Sequence, residues 1–186
     1  MPILSKEDDI YPADLLQNEA LLADEQRSWY CLYTLSRREK ELVRKLVVRE
    51  IGCYLPVVPK RYRSPAGRLR TSYVPLFNNY VFLFANESER YICMTTNCIS
   101  RLQEVTDREQ LVNDLRTLQA AIASGIPLTP ESRIEPGQRV RVRRGPFQGY
   151  EGQVLRREGK TRLLLSINFL EKGVSMEVDE AVLDLI

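Results

Sequence analysis

Five apolar residues in succession, Tyr80, Val81, Phe82, Leu83 and Phe84 in the stretch "PLFNNYVFLF", constrain this chain more than any other feature. Successive side chains of a strand point to opposite faces, so a strand with one wet face alternates oily and polar residues. An unbroken run has no such face and needs cover on both sides. The stretch "WYCLYTL", Trp29 to Leu35, has the same bulky, aromatic character and reads as a second strand. Whatever the fold is, it must supply something to both sides of this pair.

One cover is easy to find. Ser36 and Glu39 spell an S-x-x-E capping box, and Leu42, Val43, Leu46, Val47 and Ile51 then recur at helical spacing until Gly52 ends the run. Arg38, Lys45 and Arg49 fall on the outer side of that helix. The stretch "CYLPVVPKRYRSPAGRLRTSYVPLF" reads as strand, turn, strand, with the turn at Ser64 to Gly67. Its arms carry Lys60, Arg61, Arg63, Arg68 and Arg70 and no acid. A short helix follows from about Ser88 to Thr95, then the strand "CISRLQEV". Thr106 and Glu109 spell a second capping box, opening a helix with Leu111, Val112, Leu115, Leu118 and Ile122 inward that closes near Gly125. This order predicts an α+β fold, an antiparallel sheet with packed helices, over residues 27–123.

The pattern then changes. Residues 124–135 hold prolines, a glycine and polar residues and read as a linker. Over residues 136–186 short strand-like runs recur between Gly145, Gly149, Gly152, Gly159 and Gly173, while Val140 and Val142 alternate with Arg139, Arg141 and Arg143. Valines inward, arginines outward and glycine corners describe a small β-barrel. At the other end, residues 1–26 form an acidic leader, read either as a mobile tail or as one short docked helix carrying Leu15, Leu16, Leu21 and Leu22.

Charge points toward a class of partner. The whole chain carries +2, but the leader holds seven acids and one base, leaving 26 bases against 18 acids in residues 27–186. A basic body favours a polyanionic partner, the plain alternative being a solvated surface. Chemistry is constrained from the other direction: histidine is absent, which removes Ser-His, Cys-His and His-metal arrangements. Cys31, Cys53, Cys93 and Cys98 are irregularly spaced among apolar residues and read as buried free thiols. With no phosphate-loop spelling and no paired carboxylates, the expectation is a non-enzymatic protein without catalytic residues, metal or cofactor. No apolar run approaches the roughly 20 residues that cross a bilayer, and no basic-then-oily start is present, so no membrane partner and a cytoplasmic location are expected.

The most specific spelling is "GQRVRVRRGPFQGYEGQV", Gly137 to Val154. It resembles the KOW motif, carried on an SH3-like barrel by NusG-type transcription factors and certain ribosomal proteins. Upstream, "WYCLY", the capped helix, the basic hairpin and "PLFNNYVFLF" resemble the amino-terminal (NGN) domain of the NusG family, especially its specialised paralogues of the RfaH type. Together the likeness covers Ser28 to Ile186. It implies a transcription elongation and antitermination factor whose first domain sits on the clamp coiled coil of RNA polymerase, bridges the DNA cleft and suppresses pausing or termination. The second domain of such factors recruits other machinery, in several members a ribosomal protein or a termination factor. A KOW-type RNA-binding or ribosome-associated protein is the alternative.

Site residues follow from the same likeness. If helices cover one sheet face, strand alternation leaves on the other either Trp29, Cys31 and Tyr33 or Tyr30 and Leu32, with Tyr80, Phe82 and Phe84 or Val81 and Leu83. By position in the motif, Tyr33, Tyr80 and Phe82, with Phe77 nearby, match the aromatic lining of the polymerase-binding surface. Ordinary core packing is the competing reading. In the RfaH type the second domain covers this surface and converts from helical hairpin to barrel on release; the glycines and the Arg-Val alternation here favour the barrel. The family commonly places proline and then glycine or asparagine after the phenylalanine, where this chain has Asn78 and Asn79, residues that tolerate a left-handed bend. Arg37 and Arg38 are candidates for the non-template strand, and Lys60, Arg61, Arg63, Arg68 and Arg70 for phosphates. Phe169 in "SINFL" matches the position where the second domain presents an apolar contact.

Overall fold

The computed structural model describes residues 7–65, 67–131, 137–157, 160–167, 170, 172–179 and 182–186. They form two compact units, Met1–Arg108 and Glu109–Ile186.

The first unit is built on strands β1 (Ile10–Tyr11), β2 (Ser28–Thr34), β3 (Gly52–Tyr54), β6 (Tyr80–Ala85) and β7 (Ile99–Glu104), in the order β1-β3-β6-β2-β7. Every neighbouring pair is antiparallel. Strands β4 (Val57–Arg63) and β5 (Leu69–Pro75) make a separate two-stranded hairpin. The helices are α1 (Glu19–Leu22), α2 (Glu39–Val47) and α3 (Glu87–Met94).

Pairing of β2 with β6 runs in register from Trp29 opposite Phe84 to Tyr33 opposite Tyr80, and this sorts the oily residues by face. Tyr30, Leu32, Val81 and Leu83 share one face and pack in a single cluster with Leu42, Val43 and Leu46 of α2, and with Ile51, Cys53 and Cys93. Each such side chain contributes about 1.5–3 kcal/mol by leaving water, so this layer is the main stabilising contact between helix and sheet. Burial also pushes the Cys53 and Cys93 thiols up to about 12, consistent with their reading as inert core residues.

Trp29, Cys31, Phe82 and Phe84 occupy the opposite face, and it too is largely closed. The Trp29 and Phe84 rings pack at 5.1 Å, and the Arg108 guanidinium lies 5.9 Å from the Phe84 ring. Arg108 also donates to the carbonyls of Leu22 and Asp24, at 3.4 and 3.3 Å, so the leader stands over this end of the face. From residue 7 onward the leader is docked on the sheet. Ile10 and Tyr11 pair with Tyr54 and Cys53, the Leu55 amide donates to the Asp9 carbonyl at 2.7 Å, and Leu15 and Leu16 are fully buried. Asn18 caps α1 by accepting from the Leu21 amide.

The start of α2 differs from expectation. α2 opens at Glu39 behind Arg38, which makes no side-chain cap bond; Arg37, at φ 62, turns the chain between Ser36 and the helix. The Ser36–Glu39 capping box therefore does not form, because the left-handed residue between them spoils the spacing that a box needs. A capping box forms instead at α3, where Asn86 accepts from the Glu89 amide at 2.9 Å and Glu89 accepts from the Asn86 amide at 3.0 Å. Glu89 is held further by two bonds from Arg27, at 2.6 and 2.8 Å.

In the second unit, helix α4 (Arg108–Ala123), which starts at the unit boundary, buries Leu111, Val112, Leu115, Leu118 and Ala121. Strands β8 (Leu128–Glu131), β9 (Gln138–Val142), β10 (Glu151–Arg157), β11 (Lys160–Ile167), β12 (Lys172–Glu177) and β13 (Leu183–Leu185) form an antiparallel sheet in the order β13-β9-β10-β11-β12-β8. β8 lies within the segment read as a linker. Its Pro130 stands opposite Val174 on an edge strand, a position where a missing N–H is tolerated. Val140 and Val142 are buried, as the alternation predicts, and Gly145 and Gly149 adopt φ 99 and 85, backbone that other residues resist. The fold is α+β, an antiparallel sheet with packed helices followed by a small β-domain of the SH3-like class.

Candidate functional site

Among the described residues, only one end of the second sheet face carries aromatic rings that reach solvent. There Tyr33 is 41% exposed and Tyr80 half-buried, with ring centroids 5.2 Å apart in an edge-to-face arrangement. Their position is set by the turn Phe77–Tyr80, in which the Tyr80 amide donates to the Phe77 carbonyl and Asn79 sits at φ 67. Asparagine tolerates that left-handed value better than most side chains, so the Asn78–Asn79 spelling keeps the bend.

Three contacts hold Asn79. Its amide donates to the Glu39 carboxylate at 2.8 Å, its carbonyl accepts from the Thr34 amide at 2.8 Å, and its side-chain nitrogen lies 3.4 Å from the Tyr33 hydroxyl. Glu39 is buried, at 7% exposure, so the first residue of α2 is a strut beneath the turn rather than half of a capping box. Asn79 lies 40 positions from Glu39 in sequence, and no local spacing announces the arrangement.

Phe82 and Phe77 do not join the exposed rings. Phe82 lies at the middle of β6, flanked by Cys31 on β2 and Tyr54 on β3, and is fully buried; Phe77 is 5% exposed. Their expected place in an open aromatic lining is corrected accordingly: a central strand closes over its middle residues and leaves only its end free. Sequence reasoning also passed over Arg101, which stands opposite Tyr33 on β7, is exposed, and donates to Gln103 at 2.7 Å.

The cationic candidates separate by whether acids neutralise them. Arg38 is paired with Glu41, and Lys45 bonds the same carboxylate at 2.8 Å, the Thr96 carbonyl at 3.0 Å and the Cys98 sulfur at 3.5 Å. The Lys45 and Arg38 bonds hold the Glu41 carboxyl down at about 2. Arg37 is exposed beside this group. On β9, Arg139 and Arg141 both face Glu151, and Arg143 lies 3.6 Å from Asp184. By contrast Lys60, Arg61, Arg63, Arg68 and Arg70 on the hairpin are all exposed, and among the described residues none has an ion-pair partner. Phe169 lies outside the described residues.

Two family models match this architecture. Residues 27–123, more than half of the 186-residue chain, match the model described as "Transcription termination factor nusG", and residues 136–167 match the KOW motif. The chain belongs to the NusG family. Its assignment rests on those spans. Looser likenesses are found to a solved structure described as "Domain interaction in Thermotoga maritima NusG", at 16% identity over 86% of this chain and 97% of that one, with a TM-score of 0.47. A second, "Crystal Structure of MjSpt4:Spt5 complex conformation B", shows 15% identity over 85% and 96%, with a TM-score of 0.28.

Within this NusG-family chain the first model spans β2 to the end of α4, including the Tyr33–Tyr80 edge and the hairpin, and leaves out the docked leader. Proteins of this family are transcription regulators rather than enzymes. Among the described residues no helix is long and apolar enough to cross a membrane, and no group of acids and cysteines could hold a metal ion.

Proposed function

We propose that this NusG-family protein is a transcription elongation and antitermination factor, of the operon-specific kind, that acts in the cytoplasm by seating the Tyr33–Tyr80 edge on the clamp coiled coil of RNA polymerase. The observation that carries the reading is that edge: two large rings held by the Asn79 turn at the open end of an otherwise closed sheet face. Exposed aromatic rings on a rigid support are what protein interfaces use as anchors. Phe77 and Phe82 serve behind them as packing. A factor bound to one side of the cleft and touching nucleic acid on the other favours the elongating conformation over the paused one, an effect of differential binding rather than chemistry.

The remaining roles follow. The five hairpin cations, which have no ion-pair partner among the described residues, contact phosphates, which adds salt-dependent affinity without sequence choice. Arg37 and Arg38 lie toward the non-template strand. The KOW domain recruits a ribosomal protein or termination factor, with Phe169 as its apolar contact. The operon-specific reading is supported by the Asn78–Asn79 spelling and the acidic leader. Its rival, a KOW-type RNA-binding protein, is disfavoured by the acids that face Arg139, Arg141 and Arg143.

Transcription in vitro over a pause and a terminator, with purified protein, tests this. Longer readthrough products are expected, and increased termination overturns the antitermination role. In a polymerase pull-down, Tyr33→Ala with Tyr80→Ala weakens binding by roughly tenfold or more. Undiminished capture removes the proposed dock.

A further inference from the structure

We propose that one face of the β4–β5 hairpin, made by Lys60, Tyr62 and Arg70, is a stacking site for single-stranded nucleic acid. The inference deepens the proposed nucleic-acid role of the hairpin and rests on it. The register carries the geometry. Tyr62 stands opposite Arg70 and Lys60 opposite Ser72. Directly opposed residues of an antiparallel pair project to the same side, as do residues two apart along one strand. Lys60, Tyr62, Arg70 and Ser72 therefore share one face, and Arg61, Arg63, Leu69 and Thr71 the other. The second face is the one that runs back into the core, since Val57 belongs to the buried cluster and Tyr73 packs against it.

Tyr62 is thus an aromatic ring, 46% exposed, between two cations that no described acid neutralises. Among the described residues it has no ring contact either. Charge alone would suit any polyanion, duplex included. The ring decides between them. In a duplex each base face is already occupied by its neighbours, whereas an unpaired base offers a free π-face that stacks on tyrosine while the flanking cations hold its phosphates. The row Arg139, Arg141 and Arg143 lacks this combination, because Glu151 and Asp184 sit against it.

Fluorescence anisotropy with the full chain tests the site without polymerase. The probes are labelled mixed-sequence DNA and RNA strands of roughly a dozen nucleotides and the corresponding duplex, each at several salt concentrations. Tyr62→Ala is expected to weaken single-strand binding by roughly tenfold, with the duplex affinity and the salt dependence unchanged, and Tyr62→Phe to retain it. Lys60→Gln with Arg70→Gln is expected to weaken both and to lower the single-strand salt slope by about 1.4, or about 0.7 per phosphate contact. All three side chains concerned are surface groups, and thermal melts confirm that the variants fold. Single-strand affinity unchanged in Tyr62→Ala overturns the proposal. So does loss of polymerase capture by Tyr62→Ala with oligonucleotide binding intact, which would make the ring a protein contact. Failure of the Tyr33 and Tyr80 variants to affect polymerase binding would leave these readouts untouched, so the two proposals fail separately.

Discussion

Replacing Glu39 puts the strut beneath the Asn79 turn to the test. Its carboxylate is buried and accepts the Asn79 amide at 2.8 Å. A hydrogen bond to a charged group contributes about 1.5–3 kcal/mol net. An acid in the first helical turn adds about 0.3–1 kcal/mol through the helix dipole. Asn79 is only half-buried, so water can partly replace the lost acceptor, and the lower part of the combined range applies. Glu39→Ala is expected to cost about 2 kcal/mol. For a domain of roughly 100 residues, that lowers Tm by about 8–10 °C. Glu39→Gln keeps an oxygen in place but loses the charge, and is expected to fall near the midpoint, about 1 kcal/mol. Circular dichroism melts give the stability, and amide hydrogen exchange gives the cause: the Asn79 amide is protected in the parent protein and exchanges rapidly in Glu39→Ala. If both variants melt with the parent and the Asn79 amide stays protected in Glu39→Ala, the carboxylate does not hold the turn, and the reasoning about how Tyr80 is presented fails with it.

Two further outcomes are expected. Glu41 is held at about 2, first by its bond from Lys45 and then by that from Arg38. Because its folded value lies below the ordinary 4.5, the stability it contributes is present above about 4.5 and is lost as pH falls through about 2. Carboxyl NMR titration checks the midpoint, and Glu41→Gln is expected to remove this part of the acid dependence. Phe82→Ala, at a fully buried ring, is expected to cost about 3–5 kcal/mol of stability in a denaturant melt, whereas Tyr80→Ala at the open end costs much less. Equal melts for the two would contradict the burial pattern.

Features written in local periodicity were legible in the sequence: the apolar stripe of α2, the two aromatic strands, the inward valines of β9 and the glycine corners at Gly145 and Gly149. What escaped depends on long-range pairing. β1 is two residues long and exists because Tyr54 and Cys53 lie beside it. β8 hides among prolines that only an edge position can accommodate. The spacing from Ser36 to Glu39 satisfies a helix-start rule, but the left-handed Arg37 gives Glu39 another task that no spelling reveals. At the candidate site, alternation narrowed the aromatic residues to two faces. Which rings stay open was decided by position along β6 and by a leader that fixes its hold on the sheet through Arg108.

That leader bears on how the protein should be cut. A fragment trimmed to begin at Arg27, as the span of the family match invites, would strip β3 of its neighbour and leave Gly52–Tyr54 as a raw border of unpaired amides and carbonyls. The seats of Leu15 and Leu16 would open to water at the same stroke. Such a fragment invites intermolecular strand addition and clumping, so poor behaviour of a shortened domain would speak of a missing hem and not of an unstable body.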